Sequence, residues 1–338
     1  MRNGARGGAS AVKITDVAAA AGVAPMTVSR VINTPDRVSP ETTAKVRAAI
    51  QKLGYVPNLM AGGLSSRRTR MVGAIVPTIA HPMFSGLVQA FTDAMRAEGY
   101  QVLLALSGYG NHYDEEIVRT LLGRRPDAIL ITGAAYAPSA WQMLMEAGIP
   151  LVEVWERTPR PIDMVVGFDH AELGASVADF FLAKGHDRFA CVFAGDSRAQ
   201  TRMRGFADRV REAGGVMLRA DTVPAPSTIQ LGREFMRALA PRLDKRTALF
   251  AGSDQLAFGA LTEARHWGID VPTRLAVCGF GNYELSWSAE PPFTTVNIEG
   301  PATGHAAAEM LLRRLAGETT PEPERRAVPY AVLERATT

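Results

Sequence analysis

The sequence predicts a small all-α head followed by an α/β body of two lobes, each a doubly wound parallel sheet. Helical patterns joined by tight glycine turns fill residues 13–57. After residue 70, apolar strand-like runs alternate with amphipathic helical segments, which is typical of right-handed βαβ units. Charge divides the chain in the same way. Residues 1–70 hold 11 Lys and Arg against 3 Asp and Glu, and the other 268 residues hold 26 against 31.

The first two helices of the head are predicted within residues 14–33. Thr15 is expected to cap the first helix, because a side-chain oxygen there satisfies a free backbone N–H. Gly22 is expected to end that helix in the left-handed conformation that other residues resist. Pro25 suits the first position of the second helix, where a missing N–H costs nothing. Three valines are expected to form a shared core: Val17, Val28 and Val31.

The exposed side of the second predicted helix carries side chains suited to contact DNA: Pro25, Met26, Thr27, Ser29, Arg30 and Asn33. Two helices joined by a glycine turn are typical of a helix-turn-helix that reads a major groove. An arginine can bind guanine O6 and N7, and Thr or Met can contact the thymine methyl group. The alternative is a helical hairpin packed on a larger domain, against which the concentration of positive charge argues.

A third helix is predicted to begin after Ser39, with Pro40 at its first position, and to end at Gly54. The basic segment 58–70 then forms a linker. We expect it to become helical only when another molecule holds it, because two adjacent glycines each cost about 1 kcal/mol of helix propensity.

The strands of the body are predicted at seven apolar runs: 72–77, 101–106, 128–132, 151–155, 189–194, 248–253 and 275–280. Amphipathic segments predict helices, for example at 84–98, 173–184, 201–213 and 255–267. Two series of strand–helix units fit, one before and one after about residue 160. Crossovers between the lobes are expected near 156–168, 290–298 and 317–323. Such folds bind ligands at the carboxyl ends of the strands, between the lobes.

Several function classes are excluded by what the sequence lacks. It has no dinucleotide or Walker glycine motif, no His-Glu-x-x-His and no Gly-x-Ser-x-Gly. No enzyme activity, catalytic residue, cofactor or metal is therefore expected. Cys191 and Cys278 lie in apolar runs and are expected to be buried free thiols. Without a signal peptide or an apolar run long enough to span a membrane, the protein is expected to be cytoplasmic and to bind no membrane.

Five motifs spread along the chain resemble the lactose-repressor (LacI) family of bacterial transcription regulators. They are Asp-Val-Ala at 16–18, Thr-Val-Ser-Arg-Val at 27–31, Arg-x-x-Gly-Phe at 202–206, Ser-Asp-Gln at 253–255 and Pro-Pro-Phe-Thr-Thr-Val at 291–296. The resemblance implies a body like that of periplasmic sugar-binding proteins. Pro-Met-Thr-Val-Ser-Arg at 25–30, the segment 154–169 and Gly-Phe-Gly-Asn at 279–282 resemble the gluconate-repressor branch, which answers to sugar acids.

The resemblance implies a division of the chain into a disordered basic tail (1–12), a helix-turn-helix domain (13–57), a hinge linker (58–70) and an effector-binding and dimerisation domain (71–338). It implies a homodimer, associated with the bacterial nucleoid, that binds a palindromic double-stranded operator. A sugar or sugar acid bound between the lobes would control that binding. The alternative is a cytoplasmic sugar-binding or sugar-metabolising protein without a regulatory role.

The DNA-binding residues implied by the resemblance lie in the head and the linker. They are Thr15, Pro25, Met26, Thr27, Ser29, Arg30, Asn33, Tyr55, Asn58, Ala61 and Leu64. Leu64 is expected to insert between base pairs in the minor groove; alternatively it packs on the body. Arg30 either reads a base or grips only phosphate, and Met26 either contacts a base or packs.

The effector-binding residues implied by the resemblance are Arg202, Phe168, Asp254, Asn282, Trp155, Phe84 and Ser253. Arg202 matches a sugar-contacting arginine, and a guanidinium suits a carboxylate better than paired hydroxyls. A solvated helix arginine is the alternative. Phe168 either stacks on the sugar or belongs to the core. Asp254 either accepts sugar hydroxyls or caps the helix that begins at Gln255.

Overall fold

The computed structural model describes residues 12–56, 68–109, 115–133 and 137–338. The chain divides into two units, Met1–Thr69 and Arg70–Thr338. Of the predicted tail the structure describes only Val12, and of the predicted hinge only residues 68–70. The expectations for Asn58, Ala61 and Leu64 therefore lie outside the described residues.

The first unit contains helices α1 (Ile14–Ala21), α2 (Pro25–Asn33) and α3 (Pro40–Leu53), with a 3₁₀ turn at Pro35–Arg37. Gly22 (φ +65°) and Gly54 (φ +61°) end α1 and α3 in the left-handed conformation, as predicted. The Ser39 hydroxyl accepts the Thr42 N–H at 3.3 Å and so caps α3. The core combines Val17, Val28 and Val31 with Val46 and two alanines.

The prediction that Thr15 caps α1 is wrong. The helix begins at Ile14, so Lys13 occupies the cap and Thr15 lies exposed in the first turn. The Asp16 carboxylate accepts the backbone N–H of Lys13 at 2.8 Å. The side chain of Asp16, within the first turn, thus accepts the free backbone N–H at the helix start. The helix therefore begins without a capping hydroxyl.

The first lobe of the second unit is a six-stranded sheet in the order β11-β5-β4-β3-β1-β2. Its strands are β1 (Met71–Val76), β2 (Gln101–Leu106), β3 (Ala128–Thr132), β4 (Leu151–Val154), β5 (Met164–Gly167) and β11 (Glu324–Ala327). All adjacent pairs are parallel. Its helices are α4 (Pro82–Ala97), α5 (Glu115–Gly123), α6 (Pro138–Ala147) and α12 (Gly300–Leu315), the last packed on α4.

The second lobe is a six-stranded sheet in the order β12-β10-β9-β8-β6-β7. Its strands are β6 (Arg188–Ala194), β7 (Val216–Val223), β8 (Thr247–Ala251), β9 (Leu275–Gly281), β10 (Thr294–Ile298) and the antiparallel β12 (Tyr330–Leu333). Its helices are α7 (His170–Ala183), α8 (Ser197–Glu212), α9 (Ile229–Leu239), α10 (Asp254–His266) and the short α11 (Glu284–Ser288). Cys191 and Cys278 are buried free thiols, as predicted.

The chain passes between the lobes after β5, after β10 and between β11 and β12, hence near residues 168–169, 299 and 328–329. Of the crossovers expected near 156–168, 290–298 and 317–323, the first two ranges end at or beside the observed positions, and the third lies too early in the chain. Segments 156–163 and 317–323 connect elements of the first lobe only. β11 reads Glu-Arg-Arg-Ala and is mostly exposed, so no apolar run marks the strand that precedes the third crossover.

Two glycines allow α7 and α8 to pack closely together. This close packing sets the position of the arginines on α8. A Cβ at Gly174 would lie 2.1 Å from the backbone oxygen of Arg202, and one at Gly205 would lie 2.2 Å from that of Ala171. Backbone cannot yield as a flexible side chain does. The Arg202 backbone position therefore depends on the absence of a side chain at Gly174.

Gly174→Ala is expected to push α8 off α7, lowering the free energy of unfolding by about 1–3 kcal/mol as overpacking does. Chemical denaturation of the body measures the loss. Gly123→Ala, at the end of α5 where an added Cβ meets nothing within 4 Å, is the matched control. Equal stability of the two variants would contradict the close packing of α7 on α8.

Candidate functional site

The first unit presents the predicted recognition surface on α2. Pro25, Met26, Arg30 and Asn33 are exposed, Met26 by 64%. Thr27 and Ser29 are partly exposed. The Asn33 amide donates to the Ser29 backbone oxygen at 3.0 Å. Within the described ranges, the Arg30 guanidinium has no hydrogen bond or ion pair and is available to DNA.

Tyr55, the other predicted DNA contact that the structure describes in this unit, lies just after α3. Its ring is partly buried and packs on the core of the first unit. The side chain thus anchors the chain where the predicted hinge begins.

In the second unit, a cavity lies between the lobes where the parallel strands end, as the fold predicts. Its volume is about 40 Å³, room for roughly three water molecules at about 10–15 Å³ each. The lining residues are His81, Met83, Phe84, Tyr109, Trp155, His170, Ala194, Asp196, Arg198, Ala199, Arg202, Ser227, Gly252 and Ser253.

Four of the seven predicted effector residues line this cavity: Phe84, Trp155, Arg202 and Ser253. Phe84 comes from the first turn of α4 and Trp155 directly follows β4, with a left-handed φ of +74°. Ser253 accepts the Leu256 N–H at 3.2 Å, capping α10, and shares a 2.8 Å hydrogen bond with Ser227.

Phe168 does not line the cavity. It is 3% exposed and packs edge to face with Trp155, His170 and Tyr330. Its ring is part of the core behind the cavity wall, which is the second of the two roles the sequence left open.

Asp254 and Asn282 also lie outside the lining, and the prediction that Asp254 caps α10 is wrong. Ser253 is the cap of α10, and the Asp254 carboxylate accepts the Tyr283 N–H at 2.8 Å and the Thr295 hydroxyl at 2.5 Å. Burial raises the pKa of Asp254 to about 6. The Asn282 side chain instead bonds Arg335 and Asn297. Both side chains are thus bonded within their own lobe.

Arg202 is the most deeply buried cation of the cavity. It is 5% exposed, its Nη1 lies 2.9 Å from Nδ1 of His170, and its guanidinium carbon stands 4.0 Å above the centre of the Phe280 ring. Because a guanidinium only donates, His170 accepts and is neutral. Among the described residues, no carboxylate lies within ion-pair distance of Arg202, although Asp196 acts on it from farther away.

The side chains of the cavity leave hydrogen-bond donors unused. Arg202 Nε, Arg198 Nη1 and Trp155 Nε1 are buried and have no partner among the described residues. A buried donor without a partner costs free energy. These three atoms therefore favour a ligand rich in oxygen acceptors.

Electrostatics give the cavity a positive balance. Burial lowers the pKa of His81 to about 4 and the pKa of His170 well below its ordinary value, so both are neutral at pH 7. Burial also lowers the pKa of Arg202, to about 10, which leaves it protonated. Asp196 caps α8 and lies 3.8 Å from Arg198. One carboxylate thus faces two guanidinium groups.

Sequence reasoning missed His81, Tyr109, His170, Asp196, Arg198 and Ser227 among the polar lining residues. The position of some of these residues just after a strand could have identified them. Asp196 follows β6 by two residues and Ser227 follows β7 by four, and carboxyl ends of parallel strands form the ligand crevice. The short strand β5 hid His170, which opens α7 just after it.

No cluster of three or more metal-ligating side chains occurs among the residues that the structure describes. The described helices include none long and apolar enough to cross a membrane. The cavity itself offers hydrogen-bond donors, positive charge and aromatic walls.

Comparison with known proteins covers both units. The sequence profile described as "Bacterial regulatory proteins, lacI family" matches residues 13–58, and the one described as "Periplasmic binding protein-like domain" matches residues 178–338. The HTH-type transcriptional regulator GntR of Pseudomonas aeruginosa is 34% identical over 313 residues, which is 90% of each chain.

Two solved structures extend the similarity to the fold. A LacI-family transcriptional regulator from Silicibacter pomeroyi superposes with a TM-score of 0.90 at 29% identity, over 96% of this chain and 99% of that one. The complex of the transcriptional regulator CelR with cellobiose gives 0.67 at 32% identity, over 97% and 100%. The arrangement of a helix-turn-helix and a two-lobed body, predicted from the sequence, is confirmed.

Proposed function

The chain belongs to the lacI family of bacterial regulatory proteins, and we propose that it is a transcription repressor whose DNA affinity is controlled by a sugar acid bound between its lobes. Because the family consists of transcription regulators, the proposed function includes no catalytic activity. The effector class rests on the cavity, and the DNA role rests on α2 and its family match.

The observation that carries the effector class is the buried guanidinium of Arg202. A buried cation with neutral or aromatic neighbours costs free energy that an anionic ligand would offset. A carboxylate can accept two parallel hydrogen bonds from the guanidinium fork, and Arg202 Nε has no partner. A ligand with one carboxylate would also balance the charge of Arg198, Arg202 and Asp196.

The rest of the cavity suits a hydroxylated carbon chain. Trp155 and Phe84 supply aromatic walls, and Ser227, Ser253 and Asp196 supply oxygen atoms that can accept or exchange hydrogen bonds with hydroxyls. The relative CelR forms a complex with cellobiose, which supports a carbohydrate in this place. Gluconate combines the carboxylate with the hydroxyls and is the compound we propose to test.

Operator binding is proposed to involve a homodimer on a palindromic site. Edge strand β2 of the first lobe exposes Leu103 by 40%, Leu104 by 36% and Leu106 by 50%. Apolar side chains along an unpaired sheet edge are a surface that a second copy can cover. Two copies would present two α2 helices to two half-sites.

Control is proposed to act through the angle between the lobes. The effector binds where they meet, and its binding would change the lobe angle and separate the two hinge linkers of the dimer, lowering DNA affinity. Effector binding must then lower the affinity for the operator by the same factor by which operator binding lowers the affinity for the effector. The factor typically corresponds to 1–3 kcal/mol.

Arg30→Ala is expected to weaken binding to the cognate operator by about 5–150-fold, the equivalent of about 1–3 kcal/mol for a bidentate base contact. Binding to random DNA should change much less, because only base contacts carry sequence information. Fluorescence anisotropy with both duplexes measures the two affinities. Arg37→Ala, at an exposed arginine outside α2, controls for lost charge. Equal losses on both duplexes for Arg30→Ala would assign it to phosphate only.

Arg202→Ala is expected to abolish the effector response while operator binding persists, because the side chain lies in the body. Calorimetry should show gluconate affinity falling at least 30-fold, the equivalent of about 2 kcal/mol for breaking a buried charge pair. Arg202→Lys should keep part of the affinity that Arg202→Gln loses. Arg204→Ala, an exposed arginine of the same helix, should bind gluconate like the unaltered protein. Unchanged gluconate affinity in Arg202→Ala, or tighter binding of neutral glucose, would overturn the sugar-acid assignment.

A further inference from the structure

A tyrosine that no sequence motif singled out connects the two lobes beside the cavity. Tyr283 lies in the second lobe between β9 and α11, and its hydroxyl lies 3.3 Å from Nδ1 of His81. His81 precedes α4 in the first lobe, lines the cavity and is 7% exposed. The two rings meet edge to face with centroids 5.2 Å apart. The contact therefore spans the cleft.

The second lobe fixes the position of the Tyr283 ring. A Cβ at Gly281 would lie 2.3 Å from Cζ of that ring, and Gly281 has a φ of +128° that favours glycine. The ring thus lies directly over a residue without a side chain. The backbone N–H of Tyr283 donates to the Asp254 carboxylate at 2.8 Å, which anchors the start of the short helix α11.

The C-terminal segment holds the turn just before Tyr283. Asn282 has a left-handed φ of +53°, which asparagine tolerates better than most residues. Its Oδ1 accepts from Arg335 at 2.7 Å and its Nδ2 donates to Asn297 at 3.0 Å. Because these contacts lie within one lobe, Tyr283 is preorganised before it meets His81, and the contact costs little conformational entropy.

The bond between the lobes joins two neutral groups. Burial raises the pKa of the Tyr283 phenol well above its ordinary value, so it keeps its proton. Burial lowers the pKa of His81 to about 4. A neutral hydroxyl and a neutral imidazole can share a hydrogen bond in the closed cleft without burying a further charge, and water replaces that bond when the lobes part.

We propose that Tyr283 and His81 form a clasp that holds the lobes closed when no ligand is bound. A clasp of this kind sets the fraction of molecules whose cavity is open to a ligand, and through that fraction the apparent ligand affinity. The inference goes beyond the proposed function, because it concerns the ligand-free body and holds whatever the ligand is.

Trp155 provides a direct readout of cleft opening. It lines the cavity and is 2% exposed, whereas Trp141, Trp267 and Trp287 are 44%, 52% and 56% exposed. In the ligand-free full chain, acrylamide quenching therefore separates one protected tryptophan from three accessible ones. Opening of the lobes converts the protected component into an accessible one.

Tyr283→Phe keeps the ring over Gly281 and removes the hydroxyl. Loss of one neutral hydrogen bond is expected to raise the open-to-closed ratio about fivefold, and quenching of the protected tryptophan should rise accordingly. The control is Tyr100→Phe, which alters a buried tyrosine that packs under Arg70 within the first lobe. Quenching of Tyr283→Phe equal to that of the unaltered chain and of Tyr100→Phe would overturn the clasp.

His81→Leu tests the same bond from the other lobe and carries the test if Tyr283→Phe does not fold by circular dichroism. It should raise quenching by a similar factor, and adding Tyr283→Phe to it should raise quenching no further. Non-additivity of this kind identifies one shared bond. Fully additive effects, or no effect of His81→Leu, would overturn the clasp and leave the sugar-acid proposal untouched.

Discussion

The guanidinium of Arg202 is buried with no carboxylate within ion-pair distance in the part of the chain that the structure describes, and the binding properties of the cleft depend on that constraint. His170 accepts one of its hydrogen bonds and the Phe280 ring covers its face. Both neighbours are uncharged, so they reduce the cost of burial without neutralising the charge. The positive charge remains available to a ligand. Because the surroundings are buried, an ion pair formed there is stronger than one in bulk water.

The backbone geometry of the fold places the Arg202 guanidinium in the cleft. Parallel strands place His81, Trp155, Asp196 and Ser253 at the same edge of two sheets, and Gly174 lets α8 approach α7 closely enough to carry Arg202 into the cleft. The second lobe also holds Tyr283 toward the first. Ligand recognition and closure of the lobes thus involve neighbouring residues, because His81 lines the cavity and also contacts Tyr283. Ligand chemistry and lobe movement are therefore coupled at short range.

The sequence predicted the elements that carry strong local patterns. The three head helices followed from Gly22, Gly54 and the prolines at helix starts, and seven strands followed from long apolar runs. It missed β5, β7, β10, β11 and β12. Polar or charged residues interrupt β7, β10 and β11, β5 directly follows the segment 156–163, which is rich in prolines and charged residues, and β12 is a partly exposed edge strand. Asp254 shows the other limit. A carboxylate after a strand resembles a ligand-binding group, and only tertiary contacts reveal that Tyr283 and Thr295 already use it.

An anion bound between the lobes is proposed to control the binding of the head to DNA. The direct measurement is the affinity of the full chain for an operator, enriched from genomic fragments, across a titration with gluconate or neutral glucose. Saturating gluconate is expected to weaken operator binding by about 5–150-fold, and operator is expected to weaken gluconate binding by the same factor. Glucose is expected to have little effect. Operator affinity that is unchanged by gluconate, or lowered equally by glucose, would contradict the proposal.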